Sequence, residues 1–280
     1  MQPLSGLLVL DFTTLLPGPL ASLMLSEAGA EVLKIEKPGG EDTRRFPPSF
    51  DGESAPFAML NRGKKSLTLD LKNDADRAKL IPLIQRADIL MEQFRPGVMA
   101  RLGLGYETLR ALNPRLIYCS ISGYGQSGAR VDEAGHDINY IGNTGLLDLQ
   151  PGPADAPVVP PMLVADIAGG SFPAVINILL ALRARDQSGQ GCHLDIAMTD
   201  AMFTFGWAAP QRGNFPSRAS IGWWAARRVI RFIRPRTASW SPAGRSSRNS
   251  GQRSARRSAW RRNLSMIAAR RWRRVMQWPS

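Results

Sequence analysis

The sequence is poor in cysteine and lacks several features that would identify common protein classes. Its two cysteines, Cys119 and Cys192, form no metal-binding spacing and are typical of a reducing compartment. No GxGxxG follows the first predicted strand, so a dinucleotide is not indicated. The N-terminus has no charged segment followed by an apolar one, and no apolar run of about eighteen residues indicates a membrane span. These absences predict a cytoplasmic protein.

Charge is distributed unevenly along the 280 residues. Residues 1–210 contain 18 basic and all 23 acidic residues, whereas residues 211–280 contain 18 arginines, no lysine and no acidic residue. Six of the seven tryptophans also lie in the second segment. The net charge of +13 therefore belongs to an arginine-rich tail, 211–280, and not to the region 1–210.

Short apolar segments alternate with helical patterns along residues 1–210. This alternation predicts an α/β fold with a Rossmann-like parallel sheet and a ligand at the C-terminal ends of its strands. We predict strands at 6–12, 31–35, 66–71, 89–92, 116–120 and 192–197, and helices at 20–27, 74–86, 98–102, 106–112, 170–185 and 198–208. Residues 38–66 are predicted to be a long polar connection.

One histidine and one carboxylate flank a loop rich in proline and glycine. His136 lies in the string GHDINY at 135–140, and Asp166 precedes Gly169 and Gly170. The two side chains make an acid/base pair if the fold brings them together. Taken alone, His136 has a structural interpretation, and Asp166 is most simply an N-cap.

Many ordered motifs in residues 1–210 resemble the family III CoA-transferase superfamily, and within it the α-methylacyl-CoA racemases. The resemblance implies the large domain of that fold. The motifs are LDF at 10–12, PGP at 17–19, GAEV at 29–32, KIEKPG at 34–39, RGKKSL at 62–67, LDLK at 69–72, FRPG at 94–97, NPRLIY at 113–118, SGYGQSG at 122–128, GHDINY at 135–140 and ADIAGG at 165–170.

The resemblance implies that His136 and Asp166 exchange protons with the α-carbon of an acyl-CoA through an enolate. It implies no metal and no redox cofactor, because CoA is part of the substrate. Backbone amides around Gly169 and Gly170 are expected to stabilise the enolate oxygen. The implied CoA contacts are Lys37, Leu69, Asp70, Leu71, Lys72, Arg95, Gly135, Asp137, Ile138, Asn139 and Tyr140, with Arg62, Lys64 and Lys65 as further basic residues.

Two alternatives stay open. In a CoA-transferase of the same fold, Asp166 is the nucleophile and forms an acyl anhydride. His136 favours the racemase, because the resemblance implies that transferases lack the GHDINY histidine. In the other alternative, the arginine tail binds nucleic acid without catalysis. His193, the only other histidine, is predicted to be a packed side chain in a strand.

The tail has the composition of a GC-rich gene read in a wrong frame. Residues 223–251, written in GC-rich codons and read two nucleotides later, give VGGPARYQVYPTQDGKLVACGALEPKFW, which resembles a segment of the racemases. We therefore predict a frameshift near Pro210 and a disordered tail. The glutamate that assists the family's histidine lies only in the other frame. The 280-residue chain is then expected to be a poorly folding or inactive part of an enzyme whose relatives are interlocked homodimers.

Overall fold

The computed structural model describes residues 2–150 and 156–206, and the fold is built on eight strands. Six of them form one parallel sheet in the spatial order β5–β2–β1–β6–β7–β8, and the other two form an antiparallel hairpin. The strands are β1 (Leu8–Asp11), β2 (Glu31–Glu36), β3 (Ser49–Phe50), β4 (Glu53–Ser54), β5 (Lys65–Thr68), β6 (Ile89–Glu92), β7 (Ile117–Ser122) and β8 (His193–Ala197).

Helices cover both faces of the sheet. They are α1 (Pro17–Glu27), α2 (Ala55–Asn61), α3 (Asp74–Arg86), α4 (Val98–Arg101), α5 (Tyr106–Leu112), α6 (Asp137–Asn143), α7 (Phe172–Ser188) and α8 (Met198–Met202). A π-helical segment, Ala165–Ser171, leads directly into α7. The parallel sheet with helices on both faces confirms the predicted α/β, Rossmann-like fold.

Successive residues of each central strand point into two different cores, as the alternation of side chains along a strand requires. Val9 of β1 packs with α1, α6 and α7, whereas its neighbour Leu10 packs with α3, α4 and α5. On the second face, Leu80 and Ile84 of α3 are fully buried. Burial of such a side chain stabilises a fold by about 1.5–3 kcal/mol. Both apolar layers therefore hold the sheet in place.

Most predicted elements are confirmed, with shifts of a few residues at their ends. Helix α1 begins at Pro17, and the helix predicted at 198–208 ends at Met202 and is followed by a 3₁₀ turn over Phe203–Gly206. The long polar connection predicted over 38–66 contains short elements that the sequence patterns did not indicate. That segment contains a 3₁₀ turn at Asp42–Arg45, the β3–β4 hairpin and α2.

The last long helix is longer than predicted, because Ala165–Ser188 forms one continuous helical segment instead of 170–185. By length and composition this segment could cross a membrane, a property that the sequence patterns did not indicate. Half of its most apolar window is buried inside the protein. The core helix of a soluble protein passes the same test, so the finding is weak evidence for a membrane span. The predicted arginine-rich tail, 211–280, lies outside the described residues.

Candidate active site

The C-terminal ends of the parallel strands form the edge at which an open α/β sheet binds its ligands. The strand order reverses between β1 and β6, and the turns after these two strands contact each other there. The backbone N–H of Gly18 donates to Oε1 of Gln93 at 3.0 Å. A Cβ atom at Gly18 would lie 2.2 Å from Cβ of Thr13, so this turn accepts only glycine without rearrangement. The segments that follow β1 and β6 are therefore tightly packed against each other at the predicted ligand-binding edge.

The GHDINY segment forms the start of α6, a helix that the sequence patterns did not predict. The backbone N–H of His136 donates to Oδ1 of Asn139 at 2.9 Å, and the Tyr140 hydroxyl donates to the carbonyl of Gly135 at 2.5 Å. Asn139 and Tyr140 thus stabilise the loop that presents the histidine. His136 itself is exposed, as is Ile138. The motif leaves the imidazole available for chemistry.

Asp137 connects this loop to the segment that carries Asp166. Its carboxylate is buried and accepts a hydrogen bond from the backbone N–H of Asp166 at 2.9 Å. The N–H groups of Val164 and Ala165 also interact with it. The cap of this helical segment is therefore Asp137, and the interpretation of Asp166 as an N-cap was wrong. Asp166 makes no side-chain hydrogen bond within the described residues.

His136 and Asp166 are close enough for their charges to interact. Burial raises the pKa of Asp166 to about 6, and the nearby Asp137 carboxylate adds to the rise, whereas His136 opposes it. Burial also raises the pKa of Asp137, against three backbone hydrogen bonds that lower it. The structure thus brings the predicted acid/base pair together. A carboxyl group with a pKa near 6 is suited to proton transfer at neutral pH.

Gly169 and Gly170 do not lie where the enolate-stabilising amides were expected. Both are buried inside the continuous helical segment, beyond its N-terminus. A Cβ at Gly169 would lie 2.7 Å from the carbonyl oxygen of Met198, and one at Gly170 would lie 2.9 Å from Cβ of Pro17. These glycines permit close packing of helices. The expectation of a helix N-terminus at this point was wrong.

The residues predicted to bind CoA lie in the turns after three strands. Lys37 follows β2 and pairs with Asp42 at 3.0 Å on the surface. The predicted set 69–72 follows β5, where Leu69 is buried in the core and the Lys72 backbone N–H donates to Asp70 at 2.9 Å. Arg95 follows β6, and its exposed side chain makes no hydrogen bond or ion pair within the described residues. The topology therefore places all three groups on one edge of the sheet.

Lys64 belongs to a buried charge network that the sequence patterns did not indicate. Its ammonium group lies 3.3 Å from Oδ2 of Asp11, while Lys34 lies 3.0 Å from Oε2 of Glu41, and all four side chains are almost completely buried. Burial lowers the pKa of Lys64 to about 8, against the opposing effect of Asp11. Lys64 is therefore not a free phosphate ligand. The sequence feature that could have indicated this network is Asp11, an acidic residue at the end of the apolar strand β1.

The other two supplementary basic residues are also engaged. Arg62 pairs with Glu27, and Lys65 pairs with Glu31 at 2.6 Å. Both pairs are exposed, and exposed ion pairs contribute little to stability. A phosphate could therefore replace either carboxylate at small energetic cost. The network around Lys64 is different, because removal of one buried charge leaves the others without a partner.

His193 lies at the start of β8, where it is exposed and not fully packed as predicted, and its ring belongs to a polar cluster. Its ring stacks on Tyr106, with 5.1 Å between the ring centroids. Its Nε2 atom lies 2.9 Å from Oγ of Ser120, whose side chain also bonds Glu92. The sequence patterns did not indicate this cluster. The only available signal was polar residues at the ends of two apolar strands.

Comparisons with known proteins agree with this architecture. The model of CoA-transferase family III matches residues 4–218. The chain is 42% identical over 205 residues to an acetyl-CoA:oxalate CoA-transferase of Acetobacter aceti, covering 72% of this chain and 52% of the relative. It is 40% identical over 197 residues to the human alpha-methylacyl-CoA racemase, covering 70% of this chain and 48% of the relative. The chain thus spans about half the length of the curated relatives it matches.

A solved structure gives the same result. The crystal structure of a CAIB/BAIF family protein from Brucella suis superposes with a TM-score of 0.69 at 38% sequence identity. The match covers 76% of this chain and 57% of that chain. The resemblance predicted from the motifs of residues 1–210 is confirmed at the level of the family. Racemase and transferase relatives match about equally well, so identity does not separate the two activities.

Proposed function

Because this chain belongs to CoA-transferase family III, we propose that it carries the catalytic residues of a racemase, which inverts the 2-methyl centre of a 2-methylacyl-CoA thioester. The observation that carries the proposal is the juxtaposition of His136 and Asp166 at the ligand edge of the sheet. Inversion at carbon requires two acid/base groups, one for each face of a planar enolate. A His/Asp pair supplies both.

The reaction proceeds by two proton transfers. The Asp166 carboxylate accepts the proton from the α-carbon, and the electron pair of the C–H bond moves into the thioester to give an enolate. The imidazolium of His136 donates a proton to the opposite face of the same carbon. The reverse direction exchanges the two roles. Asp137 positions Asp166 through the hydrogen bond to its backbone, and it contacts no reacting atom.

A CoA-transferase is the second candidate, and one observation favours it. Asp166 accepts no side-chain hydrogen bond within the described residues, so its oxygens are free to attack a thioester carbonyl. Attack would expel CoA as a thiolate and leave a mixed anhydride on Asp166. The CoA thiolate would then attack the aspartyl carbonyl, which releases the donor acid and leaves an Asp166–CoA thioester. The acceptor carboxylate would attack this thioester to give a second anhydride, and the released thiolate would attack the acceptor carbonyl to form the new acyl-CoA and free Asp166. This route needs Asp166 and has no step that requires His136.

Deuterium exchange at the α-carbon of a 2-methylacyl-CoA in D₂O distinguishes the two functions. It is measured on the frame-corrected protein, because the 280-residue chain is expected to show little or no exchange. A racemase exchanges the α-hydrogen without an acceptor acid and loses exchange in both His136→Ala and Asp166→Asn. A transferase moves CoA to an added acid and retains that activity in His136→Ala. Asp186→Asn, at an exposed position near the end of α7, is the matched control. Acid-dependent transfer without exchange would overturn the racemase proposal.

We also propose that the functional enzyme is a homodimer. Helix α7 exposes Phe172, Ile176, Leu179 and Leu180, which form one apolar stripe at the spacing of a helix face. Exposed apolar stripes of this kind are typical of association surfaces. Sedimentation velocity at several protein concentrations tests the proposal. A single monomeric species at all of them would contradict it for the 280-residue chain.

A further inference from the structure

A cavity of about 270 Å³ lies between the sheet and the two short helices α4 and α5. Residues of β6, β7, β8 and the turn after β6 complete its walls. The residues that flank the candidate catalytic pair, Tyr140 and Ala165, pack in the core on the other face of the sheet. Tyr118 and Met99, which line the cavity, belong to the core of this face. The cavity is therefore a separate feature.

Four side chains with polar groups form one wall of the cavity. Glu92 pairs with Ser120 across β6 and β7, and Tyr118 pairs with His193 across β7 and β8, so these side chains share one face. Glu92 is 4% exposed and Ser120 is 1% exposed. Their side chains bond each other, and the Glu92 carboxyl also accepts the Phe94 backbone N–H at 2.9 Å. Such a wall can exchange hydrogen bonds with a ligand.

Two hydrogen-bond donors of the cavity have no acceptor among the described residues. The Nε2 atom of Gln126 is buried and has no partner. The residue is fixed in place, because its backbone N–H donates to both carboxylate oxygens of Asp195, at 3.1 and 3.0 Å. Arg95 also lines the cavity, and its side chain makes no hydrogen bond or ion pair within residues 2–150 and 156–206. Buried donors without a hydrogen-bond acceptor are rare, so we infer that a ligand supplies the missing acceptor.

We propose that this cavity binds a small carboxylic acid, whose oxygens accept hydrogen bonds from Gln126 and Arg95 and whose carbon body packs against Met99, Tyr106 and Tyr118. A volume of about 270 Å³ suits a compact ligand and is smaller than most sites for drug-sized molecules. The planar guanidinium group of arginine matches a carboxylate geometrically. The cavity lies on the opposite face of the sheet from His136 and Asp166, and it adjoins the proposed acyl-CoA site at Arg95, which is also an implied CoA contact.

Glu92 does not prevent an anionic ligand from binding. Burial raises its pKa to about 7, against the lowering effect of the Ser120 and Phe94 hydrogen bonds, and Asp195 adds to the rise. Near neutral pH much of the population therefore carries a protonated Glu92. A protonated carboxyl group donates to a ligand oxygen instead of repelling it.

Calorimetric titration of the 280-residue chain with benzoate tests the proposal. Gln126→Glu replaces the unsatisfied donor by a carboxylate of the same shape, and we expect it to weaken benzoate binding by about tenfold or more. Gln190→Glu makes the same charge change at an exposed position and is expected to bind benzoate like the wild type. No saturable binding, or equal affinity for both variants, would overturn the proposal.

A second variant keeps the test decisive if Gln126→Glu does not fold. Arg95→Met changes an exposed residue and should fold, and we expect it to weaken benzoate binding as well; Arg86→Met, also exposed, is its control. Unchanged affinity in Arg95→Met would contradict the assigned contact. Titration of Gln126→Glu with CoA distinguishes the two sites, because Gln126 is not an implied CoA contact and the variant should bind CoA like the wild type. An equal loss of CoA affinity would overturn the proposal. The titration measures benzoate binding and involves no turnover, so its result is independent of the racemase proposal.

Discussion

The backbone N–H of Asp166 donates to the carboxylate of Asp137 at 2.9 Å, across 29 positions of sequence. This bond joins the histidine loop to the π-helical segment that carries the candidate catalytic carboxylate. The same proximity makes the Asp137 charge one of the causes of the raised pKa of Asp166. One side chain therefore caps a helix, fixes the distance between two loops and tunes a catalytic group.

Asp137→Ala is expected to destabilise the protein by about 1–2 kcal/mol, because the start of the helical segment loses its cap. It should also lower the pKa of Asp166, since a neighbouring negative charge disappears. Urea unfolding measures the first effect, and the pH profile of α-proton exchange measures the second. Asp132→Ala, at an exposed position, is the control. A variant with wild-type stability and an unchanged profile would contradict both roles.

The proposed reaction is expected to depend on pH through Asp166. Its pKa is raised to about 6, so the group is protonated below that pH and cannot accept the α-proton. The rate of exchange should therefore rise as the pH increases through about 6. Measurements of kcat/KM between pH 5 and 8 check the prediction. A flat profile across this range would assign the proton transfer to another group.

The fold was predictable because its signals are local. Apolar strands without alternation, the glycine after α1 and the asparagine before α3 each mark an element boundary within a few residues. Asn73 indeed accepts the backbone N–H groups of Ala75 and Asp76, at 2.8 and 3.3 Å. Gly29 follows α1 with φ +105°, a conformation that side chains rarely adopt.

The parts that sequence reasoning missed depend on contacts between distant residues. The cap supplied by Asp137 starts a helix 28 residues later, at Ala165, so a search for a local cap selected Asp166 instead. Lys64 lies within a basic run, 62–65, that is typical of a surface, yet its ammonium group is buried beside Asp11. The identities of His136 and Asp166 were predictable only through the family resemblance, since isolated histidines and aspartates are common.

Glu92→Gln is expected to change the pH dependence of stability. Burial raises the pKa of Glu92 to about 7 in the folded protein, whereas a glutamate in the unfolded chain has its ordinary pKa of 4.5. Because the pKa of Glu92 is higher in the folded state, its contribution to the free energy of unfolding is largest below pH 4.5. That contribution falls as the pH rises to 7. The loss amounts to about 3 kcal/mol, which the variant should not suffer.

Denaturant unfolding at pH 5 and pH 8 measures this difference. Relative to the wild type, Glu92→Gln should gain stability at pH 8, since a neutral amide replaces a buried carboxylate. Glu53→Gln, at an exposed strand position, is the matched charge control. An equal stability difference at both pH values would show that Glu92 does not titrate in this range.

The composition break at residue 210 leads to a prediction about the gene. Eighteen arginines without a lysine or an acidic residue are unlike residues 1–210 and are typical of a GC-rich sequence in a wrong frame. We expect sequencing across the codons for residues 205–215 to reveal one inserted or deleted base. The corrected protein should show α-proton exchange, and the 280-residue chain should show little or none. An intact frame would make the tail genuine, and DNA binding that weakens steeply with salt would then assign it to nucleic acid.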